Sequence, residues 1–268
     1  MQKEGRGLGQ LREYKPWLTI RDVKTIGFSH RIKGYKTNRT HHLFSNLELS
    51  FFLWLEWLPN VVDIRERYPL LPISKTIQIA EFLNIKHRVD PSKNEPVVMT
   101  TDFLVNHIID GEKVLKAYSV MSNNSLNSVG ILRRLLIERE YWLQNGIDFQ
   151  IVTEKEIPKE IVSNVDWCWT ARNLEFLPIK NTEELLFIEL FLSNTLNNSN
   201  QSLAKICIES DYQLGFKPGS CIQLVKHFIS NRYWSVDMTK RITTANTLEF
   251  KRNEDQIAKL QKTGVMSS

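Results

Sequence analysis

The 268 residues are 42% hydrophobic and 24% charged, ordinary composition for a water-soluble chain that packs one large domain or two modest ones. No apolar run approaches the ~20 residues of a membrane span, and the N-terminal MQKEGRGLGQ has no apolar stretch of the kind a secretory signal carries. A cytoplasmic protein off the membrane is therefore expected. Cys168, Cys207 and Cys221 show no metal-type spacing and read as reduced thiols.

The net charge of +5 is unevenly placed. Residues 1–40 hold ten Lys/Arg and three acids, +7, and the remaining 228 residues sum to −2. A basic N-terminal arm with Gly5, Gly7 and Gly9 suits phosphate contact, because Lys and Arg release condensed counterions from nucleic acid. Arg6, Arg12, Lys15, Arg31, Lys33 and Arg39 are the expected DNA contacts.

Along the chain, SHRIKGYKTNRTHH (29–42) reads as a basic hairpin or loop. SNLELSFFLWLEWL (45–58) reads as a helix: Ser45 with Glu48 fits a capping box, and Leu47, Phe51, Trp54, Leu55 and Leu58 recur at helical spacing. A strand begins at VVDIRERYPL (61–70). PVVMTTDFLVNHIID (96–110) and KVLKAYSVM (113–121) flank a tight Asp-Gly connection, a strong hairpin signal. A helix over 128–146 and a strand over 148–157 follow. The expected first domain is a mixed α/β unit over 41–165, after an arm over 1–40.

The second part differs. Helices are expected over 182–196, 202–210 and 217–232, then short strands at YWSVDMT (233–239) and TTANTLEF (243–250). Three helices and a β-ribbon are winged-helix order, over 166–250. The last of the three helices would carry only Lys226, His227 and Arg232 toward a DNA groove, so a protein partner is as good a reading. Residues 251–268 read as a polar, loosely held tail.

A divalent metal that cuts a phosphodiester needs hard oxygen ligands. Glu48 and Asp102 are candidates on separate elements. Taken alone, Glu48 is better explained by its capping box, and a buried salt bridge or an exposed face would explain Asp102 as well as a metal. If Ile109 pairs with Glu112 across the hairpin, paired positions sum to 221, which sets Ser119 opposite Asp102 and Met121 farther along the same face. His41 and His42 are secondary candidates for the metal or a phosphate.

EGRGLGQLREYKPWLTIRDV, SHRI, HHLFSNLEL, LEW, VVDIRERYPLLP, MTTDFLV, IEREYW and TEKEI, in order over residues 4–157, strongly resemble the TnsA family. SLAKICIES through VKHFISNRYWSVDM resembles its C-terminal part more loosely. The resemblance implies a restriction-endonuclease-like N-terminal domain that nicks transposon 5′ ends with Mg²⁺ or Mn²⁺. It also implies, as partners, transposon-end DNA, a TnsB-like integrase and a TnsC-like ATPase. Glu48 and Asp102 match the family's acidic ligands. The family's Gln and catalytic Lys fall on Ser119 and Met121, with Val120 kept between them. A methionine neither stabilises transition-state charge nor orients water, and losing such a group typically costs ~10²–10³ in rate. Arg133 and Arg134 are the candidate substitute cations. The expectation is a transposase subunit with an impaired nuclease. A working nuclease with a substitute cation and a non-catalytic binding subunit are the rivals.

Overall fold

The computed structural model describes residues 1–23, 27–175, 177 and 179–265. The chain divides into two compact units, Met1–Ile157 and Pro158–Ser268.

In the first unit, a hairpin of β1 (His30–Gly34) and β2 (Arg39–Leu43) precedes α1 (Asn46–Trp57). Gly34 is required there: a Cβ would lie 2.6 Å from the His41 ring nitrogen across the hairpin. Four strands then make one sheet in the order β3 (Val61–Pro69), β4 (Thr100–Ile109), β5 (Glu112–Val120), β6 (Asp148–Val152). The first three are antiparallel neighbours. β6 lies parallel to β5, a pairing that needs a crossover, supplied by α3 (Val129–Gln144). Between β3 and β4 sits α2 (Ile73–Phe82), which the sequence reading passes over.

Alternation along the strands builds two layers against the sheet. Phe103 and its cross-strand partner Tyr118 meet Phe51 of α1, with ring centroids 5.5 and 5.1 Å apart. Leu104 and Ala117, next along each strand, join Leu70, Ile79, Ala80, Ile137, Tyr141 and Trp142 in a core under α2 and α3. The expected hairpin register is the one formed: Ile109 pairs with Glu112 and Phe103 with Tyr118.

The N-terminal arm is not a free tail. Tyr14 and Trp17 are buried. Leu11 N–H donates to Asp63, the Tyr14 hydroxyl to the Glu66 carbonyl, and Trp17 N–H to the Arg67 carbonyl, at 3.0–3.2 Å. The sequence reading misses this because Tyr14 and Trp17 are isolated apolar residues in a charged stretch. They bury individually along β3, and no periodic pattern announces them.

In the second unit, α4 (Lys159–Trp169) comes first. Asn164 donates to the Met238 and Lys240 carbonyls, and the Lys226 ammonium lies 4.7 Å over the Trp167 ring. These contacts place α4 with the second unit, so the division falls earlier than the expected 165/166. Then come α5 (Thr182–Asn197), α6 (Leu203–Gln213) and α7 (Ser220–Ser230). Asp211, near the end of α6, accepts from Gly219 and Cys221 N–H at 2.6 and 2.7 Å and so caps the start of α7.

Two expectations for this unit are corrected. The β-ribbon shrinks to a two-residue pair, β7 (Trp234–Ser235) with β8 (Lys251–Arg252). Residues 243–250 form no strand, because Thr244 and Asn246 spend their carbonyls on the N–H groups of Ala204 and Leu203. The helix weighed as a groove reader or a partner surface, α7, buries Cys221, Leu224, Val225, His227, Phe228 and Ile229. The expected polar tail folds as β8 and then α8 (Glu254–Val265), with Ile257 buried. Asn253 accepts from Gln256 N–H at the helix start, and Arg252 pairs with buried Glu189 at 2.8 Å.

Candidate active site

α1 begins where Ser45 accepts from the Glu48 N–H at 3.1 Å. The Glu48 carboxylate does not complete the capping box. It accepts from Phe44 N–H at 2.9 Å with Oε2 and turns Oε1 inward. Asp102 sits near the start of β4, accepting from Val120 N–H at 2.8 Å with Oδ2. The two carboxylates converge on one group, the guanidinium of Arg67. Its Nη2 donates to Glu48 Oε1 at 2.5 Å and its Nη1 to Asp102 Oδ1 at 2.6 Å. All three side chains are nearly enclosed, at 13% exposure for Arg67, 7% for Glu48 and 9% for Asp102. The guanidinium also lies 4.3 Å over the Phe44 ring.

Burial and the charge of Asp102 push the Glu48 carboxyl above its ordinary pKa, partly offset by Arg67 and the Phe44 N–H. Burial alone would make Arg67 easier to deprotonate, and the two carboxylates outweigh it, so its pKa is raised.

Arg67 is the residue the sequence reading misses. Beyond the Val61/Asp63 irregularity, positions paired between β3 and β4 sum to 169, as Glu66 with Phe103 and Tyr68 with Thr101 do. That sets Arg67 opposite Asp102. The signal was the charge-dense DIRER inside an apolar strand, but its register waits on knowing which strand is the neighbour. Arg67 also has φ 50°, a left-handed conformation uncommon for any residue but glycine. Strict alternation breaks here on both strands. Glu66 reaches Arg39 and His41 of β2, whereas Tyr68 meets Trp142 of α3. Phe103 meets α1, whereas Thr101 accepts from the Trp142 indole at 2.7 Å.

This break corrects the expected convergence of Ser119 on Asp102. The register is right as far as Phe103 and Tyr118, but the Ser119 hydroxyl donates to Glu138 of α3 at 2.6 Å. Asp102 instead takes the Val120 N–H. Met121 is buried, its N–H held by the Val152 carbonyl at 3.0 Å. Burial, then the charge of Asp102, push the Glu138 carboxyl up to about 7.

Glu138 therefore carries a pH-dependent share of the stability. The neutral form is favoured by folding, so its stabilisation is complete below pH ~4.5 and is lost as pH rises through ~7. The difference approaches ~3 kcal/mol. Glu138→Gln is expected to flatten this dependence while keeping an acceptor for Ser119. The gap in unfolding free energy between variant and native chain should widen between pH 4.5 and 7.5. A constant gap in urea titrations would rule out protonated Glu138.

The other candidates scatter. His41 is buried, with Nδ1 2.8 Å from Glu66 and its other nitrogen 2.7 Å from Thr37, so it is structural. His42 is partly buried with its Nδ1 unpartnered. Burial alone would raise the Glu66 carboxyl, but His41 and Arg39 override it and hold Glu66 well below the usual carboxylate range. Arg39 is therefore spent inside the fold. Arg6 is likewise held by Asp22, Glu4 and the Trp17 carbonyl at 2.7–3.0 Å. Neither is placed as an arm cation for DNA. Arg12, Lys15, Arg31 and Lys33 stay exposed, the last two on one face of β1. Arg133 and Arg134 are exposed on α3; the cation bonded to Glu48 and Asp102 is Arg67.

A divalent metal does not fit the pair as it stands. Mg²⁺ needs oxygens at about 2.1 Å in near-octahedral array, and the space between Glu48 Oε1 and Asp102 Oδ1 is taken by the Arg67 guanidinium, which donates to both at 2.5 and 2.6 Å. Among the described residues, no group of three or more His, Cys, Asp and Glu is placed to hold a metal ion.

The mixed sheet, with α1 on one side and α2 and α3 on the other, makes the first unit a restriction-endonuclease-like domain. Residues 58–154 match the family described as TnsA-like endonuclease N terminal, a stretch holding Arg67, Asp102, Ser119 and Met121 but not Glu48. Residues 156–238 match the family described as TnsA endonuclease C terminal. Over 239 residues the chain is 37% identical to the transposon Tn7 transposition protein TnsA of Escherichia coli, covering 89% of this chain and 84% of that protein. The chain belongs to the TnsA family. No helix among the described residues is long and apolar enough to cross a membrane.

Proposed function

We propose that this chain is the TnsA-like subunit of a heteromeric DNA transposase, and that its 5′-end nuclease is impaired. It would hold transposon ends beside a TnsB-like integrase and engage a TnsC-like ATPase. The observation that carries the impairment is Met121, buried and uncharged where the family resemblance sets the catalytic lysine. Ser119, at the glutamine position, supports it by giving its hydroxyl to Glu138. Of the six expected DNA contacts, Arg12, Lys15, Arg31 and Lys33 remain exposed and would meet DNA phosphate.

The test uses end-labelled transposon-end DNA with the cognate integrase and ATPase, in Mg²⁺ or Mn²⁺. The expected result is 3′-strand cutting with the 5′ strand whole, and cointegrates as the main product. Nicking of the 5′ strand by the native chain that disappears in Asp102→Ala would overturn the reading and make the chain a working nuclease.

A further inference from the structure

We infer that Arg67 takes the place of the divalent cation between Glu48 and Asp102, so that this chain carries its counter-ion covalently and refuses the metal. The inference rests on the reading that these two carboxylates are the family's metal ligands.

Four observations converge. The two oxygens that face each other across the gap, Glu48 Oε1 and Asp102 Oδ1, each accept from a different nitrogen of one guanidinium. The two outer oxygens accept from backbone N–H groups of Phe44 and Val120, which hold both carboxylates turned toward Arg67. Arg67 is fixed from behind as well: its carbonyl accepts from Trp17 N–H, and the Phe44 ring closes over its guanidinium. Finally, its φ of 50° is a conformation L side chains avoid, at a cost on the order of 1 kcal/mol. The ion pair to both carboxylates is the compensating contact. An arginine fork suits this role because its planar nitrogens reach two acceptors at once.

Displacing Arg67 would take a buried guanidinium away from both of its acids. The nearest alternative carboxylate on its own strand, Glu66, is already engaged by Arg39 and His41.

The experiment is Mn²⁺ binding to the full-length chain, read by electron paramagnetic resonance of the free ion and by melting temperature with and without millimolar Mn²⁺. The native chain is expected to bind no Mn²⁺ in the millimolar range and to melt at the same temperature in both. Arg67→Gln is expected to take up one Mn²⁺ and melt roughly 5–10 °C higher at a hundredfold excess over Kd. Adding Glu48→Gln should abolish that gain. If Arg67→Gln is poorly folded, refolding it with and without Mn²⁺ reads the same quantity, with recovery of folded protein expected only with the ion. Native binding that is lost in Asp102→Asn overturns the inference, as does an Arg67→Gln chain that folds and ignores Mn²⁺. Neither result touches the impaired-nuclease reading, which falls only if the native chain nicks 5′ ends.

Discussion

Arg67→Ala is expected to destabilise the N-terminal unit by ~3–5 kcal/mol, because it strips the shared cation from two carboxylates that are nearly enclosed. For a unit of this size that corresponds to a fall in melting temperature of roughly 10 °C. The loss should be steeper near neutral pH than in acid, where Glu48, whose carboxyl is already raised, takes up a proton and removes part of the unpaired charge. Because that pKa is raised, the neutral carboxyl is tolerated below it, and the penalty appears as pH climbs through it. A neutral set, Arg67→Met with Glu48→Gln and Asp102→Asn, should recover much of the loss, since replacing a buried ion network outright is often close to neutral. A fall of less than ~1 kcal/mol for Arg67→Ala, the range of an exposed pair, would mean that the carboxylates never depended on it.

Ser119→Gln with Met121→Lys should not by itself produce 5′-strand nicking. The lysine would be present, but the metal's place would still hold Arg67. Adding Arg67→Gln should raise nicking ~10²–10³-fold over the double variant in Mn²⁺, the size of effect associated with one well-placed charge-stabilising group. The triple variant also takes the Ser119 hydroxyl from Glu138, and the glutamine amide is there to replace that donor. Scoring the labelled 5′ strand in the native, double and triple chains separates two ideas. Nicking by the double variant would show that Arg67 swings aside for the metal, leaving Met121 as the defect. Nicking confined to the triple would show that both the cation and the lysine position had to be changed.

Most of the first unit was legible because its signals are local. Ser45 and the helical spacing of Phe51 and Leu55 mark α1, and Asp110–Gly111 sets a hairpin register that the strands obey to Phe103 and Tyr118. Glu48 and Asp102 could be named as a pair and do meet, through a common partner. What could not be read is what depends on a non-local neighbour. Arg67 opposes Asp102 only once β3 is known to lie beside β4. The left-handed turn of its backbone, which breaks the alternation, has no signature in the side chain. Ser119 was assigned by strict period-two logic, and the logic failed where the strand face changes. The arm's cations were counted as surface charge, yet Arg6 and Arg39 close ion pairs with acids that lie 16 and 27 residues away. In the second unit the helices were legible from their apolar spacing. The wing was not, because residues 243–250 bond to the start of α6 and form no strand.

The doubly bonded guanidinium also works as a ratchet. With Arg67 in place, changing Glu48 or Asp102 alone unbalances a buried charge, so electrostatics alone disfavours losing either acid, whether or not the chain cuts a strand. Replacing Arg67 alone by a neutral residue leaves two facing carboxylates with nothing between them unless a divalent ion binds. Under the proposed reading, restoring a metal-loaded pair therefore passes through a weakened fold at its first step. An intact acidic pair is thus accounted for by the fold alone and is not by itself evidence of the chemistry.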